Sequence, residues 1–253
     1  MKKNNFDIIK KSITKTKFVP IERIDRLFTL LKDHNEIAYY RYGSFADEVI
    51  FNGVRNYYFK GKRSDFKHGW IFREVKKQAL GFVANNQIIA KEHFPPFLFN
   101  KNFVFKDEEV LEKTITGFDI DDAYWNIAFN MGMIKERTFR MALELDDEYK
   151  GVKLAALANL CSDKIWRVIE NGEVNKRKKP AAVFKCDPLA KIAYNNIRFT
   201  CYEYLFNLSK LLGNDFYQYR VDCIEFRKTP ETIKLVKNYF KKLNISASRL
   251  FWK

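Results

Sequence analysis

From residue 115 onward, short apolar runs with strand character alternate with long helical stretches, but not in the regular strand–helix beat of a parallel sheet. Ile115–Ile120 reads as a strand and passes at once into a helix over 122–131. A longer helical stretch covers 135–163, broken near Asp146-Asp147. Lys164–Glu170 reads as a strand, and Asn171-Gly172 is a hairpin turn signal. A helix of about 24 residues is expected from Pro188 toward Leu212, stopped by Gly213. Tyr217–Phe226 is one strand or two short ones. Thr229 and Pro230 open a helix to Leu243, as N-cap and first-turn proline, and Ala247–Trp252 is a last strand. This order predicts an α+β fold with a small, mostly antiparallel sheet backed by helices.

The N-terminal part gives weaker signals. Residues 4–15 and 20–34 read as amphipathic helices, and 66–80 as an ambiguous one. Ile37–Tyr42 and Asn56–Phe59 read as strands around a turn at Gly53, and Phe97–Phe105 as extended after the Pro95-Pro96 break. Asp107–Lys113 is charged and suits a surface. The expected organisation is an α+β region over 1–110 and a second domain over 111–253.

Composition narrows the functional classes. A net charge of +15 over 253 residues favours polyanionic partners, nucleic acid first, although a lysine-rich chain can carry such charge without using it. The excess is spread along the chain, so a binding surface has to be assembled by folding. The many Phe and Tyr residues fit core packing or base stacking. Cys161, Cys186, Cys201 and Cys223 form no CxxC pair, which argues against a zinc site or a disulfide framework and points to a reducing cytosol. No apolar run reaches the roughly 18 residues of a membrane span. The N-terminus is basic but lacks the apolar stretch of a signal peptide, so a cytoplasmic, membrane-free setting is expected. His34, His68 and His93 have no ligand spacing.

Two segments carry the chemistry. Gly117-Phe118-Asp119-Ile120-Asp121-Asp122-Ala123-Tyr124-Trp125 puts an acid at the end of an apolar strand. Tyr219-Arg220-Val221-Asp222-Cys223-Ile224-Glu225-Phe226 puts another inside a β-prone run. Such acids are costly unless paired or bound to a cation. Asp119 and Asp222 on neighbouring strands would suit Mg²⁺ or Mn²⁺, which favours a few carboxylates plus substrate phosphates. The alternative is that both are turn or edge residues facing water.

These segments resemble motifs of family B DNA polymerases, in particular the protein-primed phage enzymes. The first is similar to motif A, Asp-x-x-Ser-Leu-Tyr-Pro-Ser, with Asp119 at the metal-binding Asp, Asp122 at the Ser and Tyr124 at the Tyr; Trp125 replaces the Pro. The second is similar to motif C, Tyr-x-Asp-Thr-Asp-Ser, with Asp222 at the second Asp, Arg220 replacing the first, Val221 the Thr and Cys223 the Ser. Lys153 to Cys161 can be laid on motif B, where the lysine alone survives. The long helix before motif C, with Ala193, Tyr194 and Arg198, also resembles its counterpart in the phage enzymes. The likeness covers about 115–253 and leaves out a thumb.

The resemblance implies a polymerase palm: template-directed nucleotidyl transfer on primed or single-stranded DNA, from nucleoside triphosphates, with Mg²⁺ or Mn²⁺ on Asp119 and Asp222. Ile120 would offer its carbonyl to the metal and nucleotide. Tyr124 would lie under the incoming sugar, or else is a core tyrosine. Lys153 would neutralise the triphosphate, or else is a solvated helix lysine. Asp121 and Asp122 would be helix N-terminal acids. Lys176, Arg177, Lys178 and Lys179 form a basic loop, solvated or touching template phosphates. Arg220 would pair with a carboxylate or hold a primer phosphate. The missing thumb implies a replication partner, and the departures from the motifs imply as an alternative a degenerate palm that binds DNA without catalysis.

Overall fold

The computed structural model describes residues 13–43, 46–60, 69–89, 91, 94–101, 114–143 and 150–250. In chain order the elements are β1 (Lys15–Pro20), α1 (Ile24–Asp33), β2 (Ala38–Arg41), β3 (Ala46–Phe51), β4 (Val54–Phe59), α2 (Gly69–Asn85), β5 (Phe97–Phe99) and β6 (Ile115–Ile120). They continue with α3 (Ala123–Asn130), α4 (Glu136–Leu143), α5 (Lys150–Ala158), β7 (Lys164–Glu170), β8 (Glu173–Val174), β9 (Ala182–Phe184) and α6 (Pro188–Leu212). The last are β10 (Phe216–Arg220), β11 (Cys223–Arg227), α7 (Pro230–Lys242) and β12 (Ala247–Leu250). The fold is α+β, as its element order predicts. Among the described residues no helix is long and apolar enough to cross a membrane.

The chain divides into two compact units, one of residues 1–73 with 161–187 and one of residues 74–160 with 188–253. The first unit holds a sheet in the order β1-β4-β3-β2-β7-β8, with β9 also paired to β7. Its pairs are antiparallel except β1 with β4. Strand alternation puts Ala38, Val49, Tyr58 and Ile169 on one face, where they bury Leu31 of α1. Two Asn-Gly turns close hairpins here. Asn52 and Gly53 have φ of 47° and 69°, and Asn171 and Gly172 have 52° and 72°. Both central residues at positive φ is the geometry whose twist matches paired strands.

The second unit holds an antiparallel sheet in the order β12-β6-β11-β10-β5. Phe118 of β6 and Phe226 of β11 stack at 6.0 Å, and Ile224, Phe226 and Tyr219 are fully buried. α6 packs against α3, β10 and β11, and Gly213 after it takes a φ of 54° where the helix ends. α7 begins as its sequence predicts. Thr229 Oγ1 accepts from the Thr232 N–H, Pro230 fills the first turn, and Thr232 completes a capping box.

The structure corrects the expected organisation. The compact units do not divide near residue 110, because β7, which the sequence suggests as part of the C-terminal sheet, pairs instead with β2 and carries β8 and β9 with it into the first unit. Residues 15–20 form a strand where a helix was expected up to residue 15, and Pro20 both closes that strand and caps the 3-10 turn Ile21–Arg23 that runs into α1. β3 escapes the sequence reading because Asp47 and Glu48 interrupt its apolar pattern; both are buried and paired, with Lys60 and Arg41. The strand expected over 97–105 is described only to Phe99. The expected helix over 4–15, the charged segment 107–113, the break at Asp146-Asp147, His68 and His93 fall wholly or mostly outside the described residues.

Candidate active site

Asp119 is the penultimate residue of β6, facing Cys223 of β11 on one side and Ser248 of β12 on the other. β10 and β11 form a hairpin in which Arg220 faces Cys223 across a two-residue turn, Val221-Asp222. Three hydrogen bonds fix its tip. The Val221 N–H donates to Pro96 O at 3.0 Å, the Cys201 thiol to Val221 O at 3.4 Å, and the Ile120 N–H to Asp222 O at 3.0 Å. The last bond ties the backbone beside Asp119 directly to that of Asp222. Asp119 and the turn that bears Asp222 therefore sit side by side, at the edge of two adjacent strands whose axes are about 4.8 Å apart.

Asp222 differs from its expected setting. It sits in the turn, not within a strand, and the acid that interrupts the apolar run is Glu225. Alternation and pairing put Gly117, Asp119, Cys223, Glu225 and Arg220 on one face of the sheet. Gly117 lies opposite Glu225, and a Cβ there would come within 3.3 Å of Glu225 Cγ and 3.0 Å of Leu250 Cδ1, so the glycine leaves room for the glutamate. Glu225 is 2% exposed. Its Oε2 accepts from Gln218 Nε2 at 2.6 Å and its Oε1 from Arg220 Nη2 at 3.2 Å. Among the described residues, Arg220 is thus ion-paired with Glu225 and not with either aspartate.

The electrostatics around the hairpin are those of crowded acids. Burial raises the Asp222 carboxyl above its ordinary range. Burial, then Glu225 and Asp119, push the Cys223 thiol up to about 12. The Cys201 thiol is pushed up by burial, Asp222 and Asp119 in turn, so the aspartates act on the same small volume. Oxygen donors of this kind suit a hard divalent cation, and a partly buried carboxyl held above its ordinary range gains from positive charge. Among the described residues no group of three or more His, Cys, Asp or Glu is arranged to hold a metal ion.

The turn after β6 holds two further acids. The Asp121 carboxylate accepts from Ser246 Oγ at 2.5 Å and Ser248 Oγ at 2.7 Å, tying the turn to β12. Asp122 stands at the N-cap of α3 with φ 43° and ψ 45°, the helix N-terminal place expected of it, although its side chain makes no cap hydrogen bond. It accepts instead from Lys153 Nζ of α5 at 2.6 Å. Lys153 is 6% exposed, hence not a solvated helix lysine, and Asp122 Oδ1 is buried without a partner among the described residues.

Ile120 is buried, and Tyr124 points into a tyrosine cluster on α6. Its hydroxyl lies 3.3 Å from that of Tyr202 and its ring meets Tyr194 edge-on at 6.0 Å. Arg198 donates to the Tyr202 hydroxyl at 3.3 Å. Burial, then the bond to Tyr202, raises the Tyr124 hydroxyl. Lys176, Arg177, Lys178 and Lys179 form an exposed loop of the first unit, whereas Asp119 and Asp222 belong to the second. Lys178 pairs with Glu170 at 2.8 Å.

Comparison with known protein families, curated proteins and solved structures yields no match. The chemistry of the site has to be read from its own residues. Sequence reasoning named Asp119, Asp222, Ile120, Tyr124, Lys153 and Arg220, which all lie in the second unit. It missed Glu225 and Gln218 as partners of Arg220, and Tyr202. The alternation from Asp119's face through Cys223 to Glu225 was a signal for the first. A groove of about 450 Å³ lined by Phe118, Phe129, Phe139 and Phe240 opens on the helix-backed side of the sheet, not the side of Asp119.

Proposed function

We propose that this protein performs template-directed nucleotidyl transfer on DNA, as a compact and diverged relative of family B polymerase palms. The observation that carries the reading is the hydrogen bond from the Ile120 N–H to Asp222 O, which makes neighbours of two aspartates 103 positions apart in sequence, the pair that the motif resemblance singles out. Asp119 and Asp222 would hold Mg²⁺ or Mn²⁺, which when bound neutralises the triphosphate and favours ionisation of the attacking 3′-hydroxyl. The chain itself binds and orients. The hydrogen bonds that Val221 and Asp222 make with Pro96, Cys201 and Ile120 keep the hairpin tip beside Asp119. Asp121, anchored by two serines, keeps the turn after β6 in place. Tyr124 and Ile120 would form part of the wall on the nucleotide side; the 176–179 loop, a feature of the first unit, would bind nucleic-acid phosphates in its own right. A replication partner would add processivity, and the setting would be the cytoplasm of a bacterium or phage-infected host.

One observation favours a second reading, a palm that binds DNA without catalysis. Lys153, the one motif B residue retained, is engaged by Asp122 where the family pattern has a serine. A lysine held this way neutralises a triphosphate only after leaving its partner.

Primer extension with Mg²⁺ or Mn²⁺ separates the two. The wild type is expected to extend a primed template, and Asp119→Asn or Asp222→Asn to lower the rate by at least about 10³-fold, the scale of losing charge stabilisation in a transition state. DNA binding with no extension in either metal would sink the catalytic reading and favour the second.

A further inference from the structure

Glu225 is an unusual residue to find inside a strand. Its side chain is 3% exposed, whereas that of its partner Arg220 is 57% exposed. The pair is asymmetric: the carboxylate is sunk in the sheet and the cation stands at its surface. A carboxylate buried this deeply needs a cation or several donors to stay ionised. Gln218 and Arg220 supply them, one to each oxygen. Arg220 is thereby tethered at one nitrogen. Guanidinium has five N–H donors in a rigid fork, so the tether leaves others directed away from Glu225.

The position of this fork is informative. Arg220 is the last residue of β10, immediately before the Val221-Asp222 turn, on the face that carries Asp119 and Cys223. Lys153 meets Asp122 after the end of β6, and β6 and β10 are separated by β11. Two cations thus belong to the surroundings of the aspartates, with β11 between the strands they adjoin. One sits beside the turn into α3 and the other beside the hairpin.

We infer that Arg220, held by Glu225 and Gln218, is a phosphate-binding residue for the nucleic-acid strand whose end reacts at Asp119 and Asp222. This rests on the nucleotidyl-transfer reading above. The ligand group is a phosphodiester of the bound strand, because the end of the site near Lys153 is the one suited to the nucleotide's triphosphate. Glu225 is a positioning residue: it touches no substrate and acts by fixing the guanidinium. The arrangement also accounts for an arginine where the family motif has an acid. With Glu225 taking the charge, the cation does not collapse onto Asp222.

The test is equilibrium binding of the full chain to a fluorescent primer–template without divalent metal, over a range of salt, together with steady-state extension. Arg220→Ala is expected to weaken binding about tenfold and to reduce the slope of log K against log salt by about one, as for loss of one phosphate contact. Arg220→Lys should restore the slope but only part of the affinity. Glu225→Gln, which keeps the shape and the acceptor for Gln218, should weaken binding severalfold while leaving the slope near that of the wild type. The KM for nucleotide should stay unchanged in Arg220→Ala. If Glu225→Gln does not fold, the exposed Arg220 variants still decide the matter. Wild-type affinity and slope in Arg220→Ala, alongside normal extension, would overturn this inference and leave the polymerase reading intact. A raised nucleotide KM with unchanged DNA affinity would do the same. A wild type that binds no DNA would overturn both.

Discussion

At the scale of single residues, Asp222 and Lys153 show opposite ways of keeping charge in a partly buried place. Burial raises the Asp222 carboxyl, so the folded state binds its proton more tightly than the unfolded chain does. The sign follows by linkage. Such a group favours folding below the unfolded carboxylate range, and that contribution is lost as pH rises through the raised folded value. Asp222→Asn is therefore expected to be more stable than the wild type at pH 7 and to lose that advantage toward pH 4, by urea midpoints at each pH. A millimolar excess of Mg²⁺ should raise the wild-type midpoint at pH 7 and leave that of Asp222→Asn in place. Lys153 is different because its charge is matched. Lys153→Ala leaves Asp122 buried and unpaired and is expected to cost about 3 kcal/mol in urea unfolding. Lys153→Met combined with Asp122→Asn should recover most of that loss, because the uncompensated charge has gone.

At the scale of elements, the β10–β11 hairpin is the part under strain. Val221 is β-branched yet has a φ of 53°, a region that costs an L-residue about 1–2 kcal/mol. Its side chain is 47% exposed, so little packing compensates. The bonds to Pro96, Cys201 and Ile120 hold the turn in this form. Val221→Asn, which tolerates the left-handed region, is expected to raise stability by about 1 kcal/mol without moving Asp222. Thermal or urea unfolding checks the first part and retained primer extension the second. A loss of stability would mean that Val221 contributes packing not seen in its exposure. The Asn52-Gly53 and Asn171-Gly172 turns carry no comparable strain, since their residues suit positive φ. Among the described residues Val221 is the one β-branched residue at positive φ, and it stands beside the two aspartates, where strain at functional positions tends to collect.

At the scale of the whole molecule, the division into units does not follow the order of the chain. Residues 161–187 leave the second unit's sequence to supply β7, β8 and β9 to the first, and Ile169 and Trp166 enter its two hydrophobic clusters. A fragment of residues 1–110 therefore lacks the strand that pairs with β2. It is expected to be unfolded or aggregated by circular dichroism and size exclusion, with an open β2 edge as the cause. Residues 1–73 joined to 161–187 by a flexible linker of about ten residues should fold, since that chain restores the missing strands. Cooperative unfolding of 1–110 alone would contradict the division.

The sequence alone sets the local devices of this chain. Thr229-Pro230, Gly213 and the Asn-Gly turns act through neighbouring backbone, so their signals survive without knowledge of the fold. It also determined the α+β class and the run of elements around Asp119 and Asp222, because strand and helix periods are written in a few consecutive residues. The partners come from folding. Lys153 meets Asp122 across 31 positions, β7 joins β2, and Ser246 and Ser248 meet Asp121 across more than 120. The Glu225 case is intermediate. Its strand was legible but its burial was not, because an acid stays inside a sheet only when Arg220 and Gln218 are brought to it by pairing. Pairing between distant segments depends on which faces have apolar surface to bury, a property of the assembled core that no single stretch of sequence contains.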